Sequence, residues 1–306
     1  MRSWFCFLTV LGLIACASCH KENERGVRVD SKLAAFIPPG TTLLGGVNVD
    51  SLKASAFYQR HAGELNLPML NASSERLGLD IRRDVSDVLV TWQSNQPIVM
   101  ARGTFSAKDL QPKIVSLGTQ ESRYRDRDLF GNGDEAVFFP KQNILLAGSL
   151  SALHSLIDSN NGGIPAPIQT RLESLPKTDQ VWAVSTQGLP VDRIPMRSEL
   201  SSALGNLMRY VAGASVGMGV DEGTHFQANI TCISADGAKQ VHDALRGGIG
   251  MARLMTKDND LSMLHLYDAV QVVQDGESVH VHADLSPELS DQLLRFANRA
   301  WTSRLR

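Results

Sequence analysis

The chain is poor in cysteine. Only four cysteines occur among its 306 residues, and Cys6, Cys16 and Cys19 all lie near the N-terminus. If processing leaves Cys16 lipidated, Cys19 and Cys232 are the remaining pair that could form a disulfide. Cys19 lies in a polar stretch, whereas the pattern around Cys232 points its side chain into a core. We therefore predict a fold that disulfides do not hold together.

The chain also lacks an excess of either charge, and it lacks a long apolar run beyond its start. The formal net charge is −2, which gives no reason to expect a nucleic-acid partner. A membrane-spanning helix needs about 18 or more apolar residues, and no segment after the N-terminal one offers them. We therefore predict that the rest of the chain lies outside the cytoplasm, as one large or two similar domains.

Residues 1–18 have the organisation of a secretory signal peptide. Arg2 precedes an apolar run over residues 4–14, which is too short for a retained membrane helix. The run ends in Leu13-Ile14-Ala15-Cys16, which resembles the lipobox of bacterial lipoproteins. In that motif the cysteine carries the lipid, so we predict lipidation of Cys16 and attachment to a membrane, facing the periplasm or the cell exterior. The alternative is cleavage near Ser18, which would leave a soluble periplasmic or secreted protein.

The segment after the signal is predicted to be a flexible tether. Residues 17–36 are polar and charged at their start and show no helical or strand periodicity. Pro38-Pro39-Gly40 then marks the entry into the folded part of the chain.

The remaining sequence contains one order of elements twice. Residues 37–163 and 178–306 each show a strand, a helix, two strands, a helix, further strands and a last helix, and the proline-containing residues 164–177 form a linker. Three positions correspond at similar separations, namely Val47 with Val184, Ser106 with Ser234, and Leu150 with Leu285. The pattern predicts an α+β fold of two similar halves, with antiparallel sheets, helices packed on one face, and an origin by internal duplication. The alternative is a chance agreement between two α+β halves.

Turn and cap signals place the individual elements. Asn132-Gly133 and Asp275-Gly276 predict hairpins, and Ser106 and Ser234 are predicted to cap helices. Residues 123–130 are predicted as one strand, with Arg123, Arg125 and Arg127 along one solvated edge.

One short motif could bind a metal ion. In a strand, His280, His282 and Asp284 share one face, so two imidazoles and a carboxylate could be presented to zinc. A complete site needs a further ligand, and His265 is the nearest candidate in the sequence. The simpler interpretation is that this face of the strand meets water while the other packs in the core.

Other patterns fail the tests for catalysis and for cofactor binding. The segment 147–151 lacks the second glycine of a Gly-x-Ser-x-Gly nucleophile turn, so Ser149 and Ser151 are predicted to cap a helix. The glycines of 213–219 lack the lysine of a phosphate loop and more simply allow close packing, and 247–250 lacks the third glycine of a dinucleotide site. Asp126 and its acidic neighbours suit a charged hairpin tip better than a calcium loop. The sequence thus predicts no catalytic residue and no cofactor.

The start of the first half resembles a group of exported bacterial proteins. Residues 37–41 (IPPGT), 46–52 (GVNVDSL) and 56–58 (AFY) are similar to the start of uncharacterised predicted lipoproteins from soil bacteria. The resemblance covers about residues 37–60. It implies the compartment and the fold class, and it brings no activity with it.

Three functions remain open from the sequence. The leading hypothesis is a non-catalytic envelope protein that binds a protein, peptide or small ligand. The second is a metal-dependent periplasmic enzyme that uses His280, His282 and Asp284. The third is a periplasmic chaperone or inhibitor that pairs an exposed sheet edge with a strand of its partner.

Overall fold

Twelve strands build one antiparallel sheet in the part of the chain that the structure describes. The structure is a computed structural model, and it describes residues 26–63, 79–94, 96–159, 162–188, 198–257 and 260–303. The predicted signal peptide and Cys16 lie outside these residues. The strands are β1 (Leu43–Asn48), β2 (Val85–Gln93), β3 (Gln96–Gly103), β4 (Gln120–Tyr124), β5 (Arg127–Asn132), β6 (Glu135–Lys141), β7 (Ile144–Ser149), β8 (Val181–Ser185), β9 (Val211–Val220), β10 (Thr224–Cys232), β11 (Val270–Asp275) and β12 (Ser278–Leu285).

Eleven helices lie within the described ranges. None of these helices is both long and apolar enough to cross a membrane. They are α1 (Ser31–Ala34), α2 (Val49–Ala54), α3 (Ala56–His61), α4 (Ile81–Asp84), α5 (Ala107–Ser116), α6 (Leu150–Asp158), α7 (Ala166–Leu172), α8 (Ser198–Met208), α9 (Ala235–Met255), α10 (Leu261–Ala269) and α11 (Pro287–Ser303).

The strand order is β11-β12-β10-β9-β8-β1-β2-β3-β7-β6-β5-β4. The predicted α+β class with antiparallel strands is therefore confirmed. The two halves, however, share one sheet, because β1 pairs with β8 in a register that sets Leu44 opposite Val184 and Gly46 opposite Trp182. Each half would otherwise leave an unpaired strand at its inner edge, with free backbone donors and acceptors.

The two halves follow the same path outward from the β1–β8 pair. On one side β2, β3, β7 and β6 follow in space, and on the other side β9, β10, β12 and β11 do so. Val47 and Val184 lie in the two central strands, and Ser106 and Ser234 precede α5 and α9. The correspondence agrees with internal duplication, which stays a prediction.

Hydrophobic clusters lie on both faces of the sheet in the first half. Successive side chains of a strand point to opposite faces, so Leu44, Leu89 and Leu146 define a first face, and Val88 and Leu145 a second. Side chains of α1, α6 and α7 pack on the first face, and those of α4 and α5 on the second. The sequence predicted helices on one face only. Helices lie on both faces because neighbouring residues of β7 are apolar, so both faces of this strand must be buried.

The second half is covered differently. Its cluster on the second face contains Val279 of β12, Cys232 of β10 and Val241 of α9, so Cys232 does point into a core. On its first face, β10 and β12 carry polar side chains instead. This alternation is the pattern of an antiparallel sheet with one face in water.

Local signals in the sequence set most of the boundaries. Ser149 and Ser234 cap α6 and α9 through hydrogen bonds from the amides of Ala152 and Gly237. Gly133 and Gly276 take positive φ angles in the predicted hairpin turns. The single strand predicted over 123–130 is wrong, because Arg125 adopts φ 52° and turns the chain between β4 and β5.

The packed part of the chain begins before its predicted start. The amide of Gly26 donates to the carbonyl of Leu175 at 2.7 Å, and Leu33 and Ile37 are fully buried in the first-face cluster. A tether that extends to residue 36 therefore does not describe residues 27–36. A helix of four residues, α1, is too short to show a helical period in the sequence, although Asp30 caps it through the amides of Lys32 and Leu33.

Candidate functional site

The three residues of the metal hypothesis share one face of β12, as their spacing predicts. His280 Nδ1 lies 2.8 Å from Asn229 Oδ1, and His282 Nε2 lies 2.7 Å from Asp284 Oδ2. Within the described ranges, no group of three His, Cys, Asp or Glu residues is arranged to hold a metal ion. His265, the further ligand considered from the sequence, lies on α10. The metal site stays a prediction for elemental analysis of the purified protein.

These residues belong to a larger polar surface on the first face of the second half. The register of β10 with β12 sets Gln227 opposite His282 and Asn229 opposite His280. We call this surface the polar sheet face; it consists of His225, Gln227, Asn229, Thr231, Ser278, His280, His282 and Asp284.

One charge of this region is buried. The side chain of Asp179 is 0% exposed, and its Oδ1 accepts a hydrogen bond from His225 Nε2 at 2.6 Å. Gln227 Nε2 donates to the other carboxylate oxygen at 3.4 Å. The hydrogen bond with Asp179 is the main cause that raises the pKa of His225, and the charge of Asp284 also favours the imidazolium against the opposing effect of burial.

Glycines of β9 make room for this charge pair. A Cβ at Gly217 would overlap Asp179 Oδ2, and a Cβ at Gly219 would overlap the imidazole of His225. A Cβ at Gly213 would likewise overlap the guanidinium of Arg171. The close packing predicted for 213–219 is therefore confirmed. It explains why this segment is rich in glycine without forming a phosphate loop.

A cavity of about 580 Å³ opens beside the Asp179–His225 pair. Sequence reasoning missed it, because Asp179 and His225 lie 46 residues apart and meet only through the pairing of β8, β9 and β10. In the sequence, the spacing of the glycines in β9 was the one indication that other groups approach this strand closely. The lining residues include Arg28, Asn48, Lys177, Gln180, Asp221 and His225.

A second group of buried charges holds the N-terminal segment to the sheet. Arg102 pairs with Asp30 at 2.8 Å and also with Asp87. Burial is the main cause that raises the pKa of Asp87, and the charge of Arg102 opposes it. Because these side chains are at most 17% exposed and are paired with one another, their role is structural.

An apolar cavity of about 690 Å³ lies on the second face of the first half. Its floor is the sheet, where the small side chains of Ala101 and Ala147 leave space, and Ile81 of α4 and Ile114 of α5 also line it. We call it the apolar cavity. Its other apolar lining residues are Leu79, Val85, Val88, Pro97, Val99, Phe130, Ala136, Val137 and Leu145.

Polar groups of the apolar cavity are few. Thr119, Asn132 and Glu135 line it, and Asn132 and Glu135 are exposed beside the β5–β6 turn. An apolar cavity with a few polar groups is the usual form of a small-molecule site. The sequence could not reveal it, because its lining comes from elements between residues 79 and 148 that no local pattern joins.

Of the two serines considered for a nucleophile turn and predicted to cap a helix, Ser149 is the N-cap of α6, and Ser151 lies within that helix. Ser149 Oγ accepts from the Ala152 amide at 3.2 Å and lies 3.2 Å from Ser151 Oγ. Neither contact activates a hydroxyl for attack, since activation needs an adjacent base.

Comparisons with known proteins add a likeness of shape. No protein-family model matches the chain, and no curated protein is significantly similar to it in sequence. Crystal form III of TP0453 gives a TM-score of 0.49 at 10% identity, covering 86% of this chain and 97% of that one. Crystal form I gives 0.46 at 9%, covering 86% and 95%, and form IV gives 0.46 at 9%, covering 85% and 95%. Scores this low carry no information on what this chain binds.

Proposed function

We propose that this protein is a non-catalytic, exported binding protein that receives the apolar part of a small amphipathic ligand in the apolar cavity. The observation that carries the proposal is the cavity itself. Its volume of about 690 Å³ lies within the range of about 300–1,000 Å³ that ligand sites occupy. Most of its lining is aliphatic or aromatic, so water inside it would have few hydrogen-bond partners.

The small residues in the floor support this function. Ala101 of β3 and Ala147 of β7 lie on the second face, where larger side chains would fill the space beneath α5. The cavity is open to solvent, since Val99 in its lining is exposed, and apolar surface exposed in this way suits an occupant. Each CH₂ group that a ligand buries there would contribute about 0.8 kcal/mol.

The polar groups of the cavity indicate the head of the ligand. Glu135 contributes a carboxylate to the lining, Asn132 an amide, and Thr119 a hydroxyl that donates to the carbonyl of Ile114. A head that donates hydrogen bonds or carries positive charge would be favoured there, and an anionic head would meet a like charge.

Titration with the neutral apolar dye N-phenyl-1-naphthylamine tests the cavity. We expect saturable fluorescence enhancement with the wild type, and at least about tenfold weaker binding for Ala147→Phe, because the added ring fills the cavity. Val115→Phe is the matched control, since Val115 is exposed on α5 beside the lining residue Ile114 and should leave binding unchanged. Equal binding by all three proteins, or none by the wild type, would refute the proposal.

The same assay tests the head group. Dodecylamine should displace the dye better than dodecanoate does, and Glu135→Gln should remove the difference while dye binding persists. A preference for dodecanoate that Glu135→Gln does not alter would contradict the assignment of Glu135.

We also propose that a lipid on Cys16 holds the protein at the cell envelope. The lipobox-like Leu13-Ile14-Ala15-Cys16 supports it, as does the short separation in the sequence between Cys16 and Gly26, whose amide donates to the carbonyl of Leu175. Intact mass spectrometry of membrane and soluble fractions should find a membrane species that starts at Cys16 with added acyl mass. The Cys16→Ala variant should lack that species, whereas an unmodified soluble wild type would show that the protein diffuses freely.

A further inference from the structure

The two ends of the sheet differ in how their edges are protected. β4 forms one end and has only five residues, and its exposed side chains include the charged Glu121 and Arg123. Short, charged edge strands resist pairing with other chains. β4 is therefore a protected edge.

β11 forms the other end, and although it has only six residues, it lacks charged side chains along its length before Asp275. Its residues Val270–Asp275 read VQVVQD, without lysine, arginine, proline or glycine, and the only charge is at the last position. Its register with β12 has no bulge, and the side chain of Val273 is 55% exposed. Short segments of high β-propensity and low charge are those that pair with further strands.

In the first half, the strand that corresponds to β11 pairs with a further strand along its outer edge. β6 occupies the position that β11 occupies in the second half, and its outer side pairs with β5, with Leu129 opposite Phe138. In the second half, α9 and α10 stand between β10 and β11 in the chain, where the first half has α5 and the β4–β5 hairpin. Within the described residues, the amide of Val270 donates to the carbonyl of Tyr267 in α10, and the rest of the β11 backbone is hydrogen-bonded to β12 alone.

We propose that the outer edge of β11 pairs in antiparallel orientation with β11 of a second copy of this chain, so that two sheets join into one. Antiparallel strands of identical chains are related by a two-fold axis perpendicular to the sheet, which keeps each face on its own side. The pairing then sets Val272 or Val273 opposite its own equivalent. Two strands without charge at these positions meet there without repulsion.

The helix beneath this edge supplies further apolar surface. α9 packs against β11 on the second face, where Val241 and Val272 belong to one cluster. Its last turns carry Met251, Leu254 and Met255, which are 66%, 88% and 81% exposed. A stable interface usually buries at least about 1,200 Å², more than a six-residue strand pair provides alone. The α9 helices of two copies joined at β11 lie on the same face and can add to that area.

Sedimentation velocity over a concentration series of the processed chain in detergent tests the dimer. We expect a monomer–dimer equilibrium that Val273→Lys weakens at least about tenfold, because two lysines would meet across the axis. Glu121→Lys is the matched control, since it changes the charge of the β4 edge and should leave the dimer intact. Circular dichroism and thermal melting must agree among the three proteins.

A second measurement keeps the proposal testable if Val273→Lys fails to fold. Directly opposite residues of antiparallel strands have Cβ atoms about 4.5–5.5 Å apart, so mild oxidation should cross-link Val272→Cys or Val273→Cys, according to the register. Ser122→Cys on β4 should give no such product. A wild type that is monomeric at its highest soluble concentration would overturn the proposal, and so would a dimer that neither β11 variant weakens or cross-links. Neither result bears on the apolar cavity, which uses different residues.

Discussion

The two halves of the sheet have the same order of strands, but their first faces differ in burial. In the first half, Leu146 of β7 lies under α6 and is fully buried. In the second half, His282 of β12 lies on the polar sheet face, and about half of its side chain is exposed. The same position in a common topology can thus be a core or an open surface, depending on whether helices cover it.

This difference in burial determines which kind of ligand each half can bind. In the first half helices cover both faces, and incomplete filling beneath α4 and α5 leaves the apolar cavity. In the second half the open face exposes hydrogen-bonding groups, and the charged side chain of Asp179 beside it is fully buried. An apolar ligand therefore suits the first half, whereas water or a polar partner suits the second.

The largest difference in stability should be found between variants that each remove a polar side chain from the first face of one half. Arg102→Leu leaves Asp87 and Asp30 without their buried partner, so we expect a loss of about 3–5 kcal/mol in the free energy of unfolding. His282→Ala removes an exposed hydrogen-bond partner of Asp284 and should change stability by no more than about 0.5 kcal/mol. Urea unfolding of the two variants beside the wild type measures both values.

The double variant Arg102→Leu/Asp87→Leu separates the cost of an unpaired charge from the loss of the pair. It should be more stable than Arg102→Leu, because the carboxylate that was left unpaired is gone. If Arg102→Leu and His282→Ala lowered the free energy of unfolding equally, the first faces of the two halves would not differ in burial.

Local chemistry predicts much of this molecule. The alternation of Phe226, Ala228 and Ile230 with polar residues identifies β10 as a strand with one wet face, and the turn at Gly276 fixes its neighbouring hairpin. The cap at Ser149 places the start of α6. These features depend on residues that are close in the sequence, so a single sequence contains them.

The features that sequence reasoning missed depend on distant partners. Nothing near Leu44 indicates that it pairs with Val184, and the merger of the two halves rests on that pairing. The burial of Asp179 likewise follows from its meeting with His225 across β9. Leu33 is buried because the sheet supplies an apolar surface, and the short segment around Leu33 does not indicate that distant partner.

The smallest effect should be the dependence of stability on pH through His225. The hydrogen bond with Asp179 raises the pKa of His225 in the folded state above the unfolded value of about 6.5. The protonated side chain therefore contributes stability that is fully present below about pH 6.5 and is lost as the pH rises through the folded-state pKa. The difference in the free energy of unfolding between the wild type and His225→Gln should thus be largest in mild acid and shrink toward alkaline pH. Asp179→Asn should flatten that dependence, because it removes the charge that holds the imidazolium. A difference that grows with pH would show that burial, which opposes protonation, outweighs Asp179 at this partly exposed site.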